Sequence, residues 1–136
     1  MTRRRLWIAT IAGIAALAGL IGAEAAQDML QRHRDLQKAS AMTGGDPNRA
    51  AGAMRRLGCL SCHDVPGVAG AQGRVGPPLA HMGSRTYIAG IMPNTAENLI
   101  LWIRWPQGVL PKSGMPNMGA NDAESRDIAA YLLSLQ

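Results

Sequence analysis

The sequence predicts an all-α fold: a small domain of three helices joined by glycine- and proline-rich loops, behind an N-terminal transmembrane helix. Apolar residues recur at helical spacing in three segments, each preceded by a capping residue. The 16 glycines and 8 prolines among 136 residues require many loops, and aromatic residues make up only 4%. A domain with so few large apolar side chains is marginal by itself, so a buried prosthetic group would supply the missing apolar mass.

The N-terminus carries the pattern of a membrane anchor. After Arg3–Arg5, the segment Leu6–Ala23 runs without a charge. Such a helix rises about 27 Å, close to the thickness of the hydrocarbon core. The arginines and Trp7 predict a single-pass protein of a bacterial inner membrane, anchored in the lipid bilayer. Its N-terminus would be cytoplasmic and its domain periplasmic. A cleaved signal peptide, with 23–25 as its cleavage site, remains the alternative.

The rest of the chain divides into a linker and a domain. Glu24–Met42 is polar without a helix breaker, and Thr43–Gly45 then interrupts it. The predicted ranges are 1–23 for the anchor, 24–45 for a helical stalk and 46–136 for the domain. Residues 44–136 carry eight basic and six acidic side chains, with no basic stripe interleaved with aromatics. Nucleic acid is therefore not an expected partner.

Each of the three domain helices has a recognisable start. Asp46 and Pro47 form an N-cap followed by proline in the first helical position. Asn94 and Asn121 each precede a glutamate by three residues, the spacing of a capping box. The apolar faces are formed, in chain order, by Ala50, Ala53, Met54 and Leu57; by Leu99, Trp102 and Ile103; and by Ile128, Tyr131, Leu132 and Leu135.

Between the first two helices lies the motif C-x-x-C-H, formed by Cys59, Cys62 and His63. This pattern attaches a c-type haem: two thiols form thioethers, and the histidine binds the iron from one side. The same cysteine spacing also occurs in zinc and thiol-redox sites. A zinc site needs four ligands, and the other histidines, His33 and His81, do not form a second close pair. We therefore expect one covalent haem c.

Residues further along the chain suit the surroundings of a haem. The carbonyl of Pro77 is free to accept a hydrogen bond from the ligand histidine, which would orient the ring. Leu79 is expected to pack on the haem face. A thioether is a soft iron ligand, and Met115 lies on a loop stiffened by Gly114 and Pro116. We predict His63 and Met115 as the axial ligands, and the less favoured methionines are Met82, Met92 and Met118.

Three further side chains are candidates for contacts at the haem periphery. Arg85 and Tyr87 can donate hydrogen bonds to propionates, although both could equally be ordinary surface residues. The indole of Trp102 lies on the apolar face of the middle helix and needs a hydrogen-bond acceptor if it is buried.

The order of these features resembles class I cytochrome c over residues 46–136. The sequence G-P-P-L at 76–79, the stretch from Arg85 to Leu99, the Met115–Pro116 loop and the ending at 126–132 resemble a narrower group. That group is the cytochrome c domain of caa-type haem-copper oxidase subunit II, with its free-standing membrane-anchored relatives. Because no cupredoxin domain with copper ligands is present, we expect a separate cytochrome.

The resemblance implies an electron carrier, not an enzyme. It would transfer single electrons in a respiratory chain, to or within a membrane complex: a terminal oxidase, a quinol-oxidising complex or both. The alternatives are a haem enzyme or gas sensor with a displaceable methionine ligand, and a soluble periplasmic shuttle released by signal cleavage.

Overall fold

The computed structural model describes the backbone of residues 2–136 and the side chains of residues 3, 7 and 13–136. The chain divides into two compact units, Met1–Arg34 and Asp35–Gln136. The helices in the described part are α1 (Thr2–Thr43), α2 (Pro47–Arg56), α3 (Ala96–Arg104), α4 (Pro106–Val109) and α5 (Asp122–Leu133). The three predicted domain helices are present as α2, α3 and α5.

A small β-ladder and two short 3₁₀ turns complete the second unit. Strands β1 (Tyr87–Ile88) and β2 (Met92–Pro93) pair antiparallel, with Ile88 opposite Met92. The 3₁₀ turns are Cys59–Ser61 and Met82–Ser84. The fold is therefore mostly helical rather than all-α.

The predicted transmembrane helix is wrong on the described residues. Among them, no helix is long and apolar enough to cross a membrane. Part of the predicted span Leu6–Ala23, at residues 6 and 8–12, lies outside the described side chains.

The last turns of α1 belong to the second unit and are packed into it. Ala39 and Thr43 are buried. The hydroxyl of Thr43 donates to the Ala39 carbonyl at 2.9 Å and accepts from the Gly45 N–H at 3.1 Å. Arg126 donates to the Thr43 carbonyl at 2.9 Å. These bonds satisfy polar groups at the helix end, which lies at the predicted break. The ranges 1–23, 24–45 and 46–136 stay predictions.

Helices α2 and α5 pack against each other and carry the buried core. Ala50 and Ala129 are fully buried, and Met54 fills the largest buried side-chain volume. At the start of α2, the Asp46 side chain accepts from the Asn48 N–H at 3.0 Å, as an N-cap does. The small side chains of Ala50 and Ala129 allow close helix approach.

A buried carboxylate ties the two helices together. Asp127 accepts from Arg49 at 2.9 and 3.0 Å and from the Asp46 N–H at 2.7 Å. Its side chain is 7% exposed, whereas that of Arg49 is 65% exposed. Burial opposes ionisation, but the hydrogen bonds and charge of Arg49 and the Asp46 N–H outweigh it, so the pKa of Asp127 is lowered.

Helix α3 begins one residue later than the capping pattern predicts. Thr95, not Asn94, is the N-cap, and its hydroxyl accepts from the Asn98 N–H at 3.2 Å. The amide of Asn94 instead donates to the carbonyls of Met82 at 2.7 Å and Arg85 at 3.0 Å. Asn94 therefore connects the 3₁₀ turn at 82–84 to the start of α3.

Gly45 and Gly52 provide a matched pair for testing the α1–α5 junction. A Cβ at Gly45 would lie 2.3 Å from the backbone carbon and oxygen of Arg126, whereas a Cβ at Gly52 meets nothing within 4 Å. We expect Gly45→Ala to lower the free energy of unfolding by about 1–3 kcal/mol, because backbone must move. Gly52→Ala, inside α2, should raise it by about 0.5–1 kcal/mol. Urea unfolding of the holoprotein measures both, and equal effects would contradict the close approach.

The Asp127 cluster predicts a pH-dependent stability. Because its folded pKa is lowered, the stabilisation is present above the unfolded pKa of about 3.9 and is lost as pH falls through the folded pKa. Asp127→Asn should lower the free energy of unfolding by about 1–2 kcal/mol at pH 7, since Arg49 is solvent-screened. The difference in the free energy of unfolding between Asp127→Asn and wild type should disappear at acid pH.

Asp122→Asn is the control for that measurement. Asp122 pairs with Arg126 at 2.7 Å and with Arg104 at 3.3 Å, but its side chain is 50% exposed. Exposed ion pairs stabilise weakly, so this variant should change unfolding less than Asp127→Asn does. If the difference in free energy of unfolding between Asp127→Asn and wild type stays constant from pH 7 to strong acid, the ionised Asp127 does not stabilise the fold as proposed.

Candidate haem-binding site

The predicted haem-attachment motif forms one tight turn after α2. Gly58 has a φ of 78°, a left-handed conformation that glycine adopts without strain, and it ends the helix. The N–H groups of Cys62 and His63 both donate to the carbonyl of Cys59, at 3.2 and 3.0 Å. Both cysteines are free thiols and half-buried, and burial raises the pKa of Cys59. Two thiols and one imidazole therefore project from a single short segment.

The ring of His63 is held from two sides. Its Nδ1 lies 2.8 Å from the carbonyl oxygen of Pro77, so that Nδ1–H donates and Nε2 is the nitrogen with a free lone pair. A Cβ at Gly76 would lie 2.4 Å from Cε1 of the ring and 2.7 Å from Nδ1. The backbone of Gly76 thus lies directly against the imidazole. The Pro77 contact expected from the sequence is present.

The loop after His63 wraps the attachment turn with backbone contacts. The Gly76 N–H donates to the Cys62 carbonyl and the Leu79 N–H to the Asp64 carbonyl, both at 2.8 Å. A Cβ at Gly73 would lie 2.4 Å from the carbonyl carbon of Cys62. Glycine is required at 73 and 76 because backbone approaches backbone and ring. In the sequence, Gly73 is marked only by the glycine-rich composition of 67–76, and Gly76 only as the first residue of G-P-P-L.

Tyr131 is a further residue that holds this loop. It was assigned only to the apolar face of α5, yet its hydroxyl donates to the Pro66 carbonyl at 2.6 Å. Gly67, with a φ of 77°, leaves room for that hydroxyl, since a Cβ there would lie 2.6 Å from it. Burial raises the pKa of Tyr131. Helix α5 therefore fixes the loop that covers the attachment turn.

The methionine loop is held mainly by local hydrogen bonds. Met115 is half-buried, and its N–H donates to the Ser113 hydroxyl at 3.1 Å. The Gln107 N–H donates to the side-chain oxygen of Asn117 at 3.3 Å. The methyl carbon of Met118 lies against Gly58, 3.4 Å from where a Cβ on that glycine would be. The loop thus reaches the attachment turn, and the role of Met115 as an iron ligand stays a prediction.

The remaining predicted site residues lie around the same loops. Leu79 and Trp102 are half-buried and pack against the core. Arg85 donates to the carbonyls of Pro78 at 2.5 Å and Ala80 at 2.9 Å, so it braces the loop that contains Pro77. Tyr87 is 57% exposed in β1. The propionate contacts proposed for Arg85 and Tyr87 stay predictions.

The residues present fit a covalently attached haem. The turn offers two unpaired thiols, and a histidine whose orientation is fixed through one nitrogen leaves the other available to iron. His81, the less favoured histidine, is directed elsewhere: its Nδ1 lies 2.9 Å from the carbonyl oxygen of Gln136.

The close contact between Gly76 and His63 gives a direct test of this site. We expect Gly76→Ala to push the imidazole away from Pro77, because the added methyl would overlap the ring. Losing the oriented partner of a ligand histidine typically weakens metal binding by about 10–100-fold. The measurement is the yield of covalently bound haem and its reduction potential after purification. Gly52→Ala is the control. Haem incorporation equal to wild type in both variants would contradict the proposal that the Gly76 backbone holds the His63 ring in place.

Comparison with known proteins adds independent information on residues 48–136. The model of the cytochrome c family matches this range. A protein named cytochrome c oxidase subunit 2 from Alkalihalophilus pseudofirmus is 40% identical over 81 residues, covering 57% of this chain and 22% of the relative. The protein of the same name from Bacillus sp. (strain PS3) is 33% identical over 108 residues, covering 76% and 30%.

A third relative of that name, from Bacillus subtilis, is 34% identical over 82 residues, covering 57% of this chain and 23% of the relative. The chain therefore spans less than a third of the length of these curated relatives. No solved structure matches the chain significantly. The matches confirm the resemblance to the cytochrome c domain of caa-type oxidase subunit II that the sequence motifs predicted.

Proposed function

The chain belongs to the cytochrome c family, and on that premise we propose that it transfers single electrons to a terminal oxidase through a haem held by His63 and Met115. The family's cofactor is a covalently bound haem c, and one haem suits a domain of this size. When bound, the haem supplies an iron that gains and loses one electron. The protein's own residues attach the group, orient its ligands and limit access to the metal.

The observation that carries the proposal is the fixed imidazole of His63. The hydrogen bond to Pro77 and the contact with Gly76 hold the ring in one orientation. A partner on the second nitrogen of a ligand histidine fixes the tautomer and the orientation of its ring. This favours electron transfer, because little of the protein has to reorganise when the charge of the metal changes.

Met115 is proposed as the second axial ligand. A thioether is a soft ligand, and methionine together with histidine raises the reduction potential of a haem. With His63 and Met115 both holding the haem, the protein's own side chains would keep substrate away from the iron. That arrangement supports an electron carrier rather than a haem enzyme.

A terminal oxidase is the proposed acceptor. Relatives that match this chain are named cytochrome c oxidase subunit 2, and each match covers less than a third of the relative. We propose that the haem domain delivers electrons to such an oxidase, either as a subunit of the complex or as a separate carrier, and receives them from a quinol-oxidising complex or another cytochrome. Stopped-flow oxidation of the reduced protein by a purified cytochrome c oxidase tests the acceptor.

Met115→Ala tests the proposed ligand set. Loss of the thioether should lower the reduction potential by on the order of a tenth of a volt or more, because axial ligands control most of its range. It should also let the reduced protein bind carbon monoxide. Potentiometric titration and carbon monoxide difference spectra make the two measurements.

Met42→Ala is the matched control, since Met42 is half-exposed on α1. It should leave both properties at the wild-type value. If wild-type reduced protein already bound carbon monoxide rapidly and fully, a haem enzyme or gas sensor would replace the carrier as the proposed function.

A further inference from the structure

We propose that Met118 is a positioning residue: its side chain clamps the loop containing Met115 onto the haem-attachment turn. The proposal rests on the ligand role assigned to Met115 above. It concerns a residue that neither the family membership nor the attachment motif identifies.

The contact is made possible by Gly58. This residue has a φ of 78° and bears no side chain, so one side of its backbone is open. The methyl carbon of Met118 occupies that side, 3.4 Å from where a Cβ would be. The next residue along the chain is Cys59, the first of the two thiols. The Met118 methyl group therefore lies beside the backbone immediately before the haem attachment point.

Hydrogen bonds do not anchor the loop to the turn. Those of residues 110–119 in the described structure stay within positions 106–117: Leu110 N–H to Pro106, Ser113 N–H to Leu110, Met115 N–H to Ser113, and Gln107 N–H to Asn117. These bonds shape the loop, but none of them reaches the attachment turn. A loop held by few tertiary contacts opens locally at low free-energy cost.

The chain after Met118 helps to direct its side chain. Gly119 has a φ of 75°, and Ala120 is buried against the core. The loop therefore changes direction directly after Met118 and is fixed from Ala120 onwards. An unbranched, flexible thioether side chain can follow the irregular surface beside Gly58, where it needs no hydrogen-bond partner.

The consequence concerns how often the loop that contains Met115 opens. If Met118 holds the loop closed, its truncation increases the fraction of molecules in which the loop is open. The apparent access of an external ligand to the metal rises in proportion to that fraction. Met118 would thus limit access to the iron through the position of the loop, without being a ligand.

The test uses the full-length, haem-loaded protein with Met118→Ala, Met118→Val, Met118→Leu and the control Met42→Ala. We expect carbon monoxide to bind reduced Met118→Ala about tenfold faster than wild type, with Met118→Val intermediate. Met118→Leu, which keeps the volume and reach of the side chain, should restore nearly wild-type behaviour. Met42→Ala should match wild type.

Hydrogen exchange supplies a second reading that does not depend on the iron. The hydrogen-bonded amides of Ser113 and Met115 should exchange faster in Met118→Ala, while amides of α5 keep their protection. Uniformly faster exchange over the whole domain would indicate global destabilisation and overturn the positioning role. The positioning role would also be overturned if Met118→Ala and Met118→Val both matched Met42→Ala in carbon monoxide binding and hydrogen exchange. If Met118→Ala does not fold, Met118→Val decides the outcome.

Comparison with Met115→Ala separates this proposal from the ligand assignment. If Met115→Ala keeps the wild-type spectrum and potential while Met118→Ala loses them, Met118 is itself the ligand, and both assignments fall. If Met115→Ala behaves as a ligand variant and Met118→Ala matches wild type, only the clamp is overturned.

Discussion

One hydrogen bond, between Nδ1 of His63 and the carbonyl oxygen of Pro77, determines how the rest of the site is built. For that carbonyl to face the ring, the chain must return closely to the attachment turn, and this is why Gly73 and Gly76 pack directly against the Cys62–His63 segment. Arg85 then braces the same loop through the carbonyls of Pro78 and Ala80. The imidazole is therefore oriented by backbone, which cannot relax by changing rotamer.

The helical scaffold supplies the rigidity that this loop needs. Helix α2 ends at the attachment turn, and α5 holds the following loop through Tyr131. The two helices are joined by small buried side chains and by the Arg49–Asp127 pair. An ionised carboxylate with three donors specifies the register of the two helices, because any slip would leave a charge buried without a partner.

The methionine loop differs from the histidine side of the site. Its hydrogen bonds are local, and the flexible side chain of Met118 lies beside the attachment turn. A site with one rigid and one more mobile ligand segment has its weakest point at the mobile ligand. The stability of the whole domain and the stability of the proposed Met115–iron bond are therefore separate quantities, set by different contacts.

The sequence by itself determined the three domain helices, the attachment motif, the Pro77 acceptor and the family, because caps, helical spacing and C-x-x-C-H depend on residues close together in the chain. Only the tertiary structure decided that Thr95 caps α3, that Arg85 contacts carbonyls and that glycines press on His63. These features depend on which distant segments meet, and no local pattern encodes that. The anchor prediction at Leu6–Ala23 was wrong on the described residues, among which no helix is both long and apolar enough to cross a membrane.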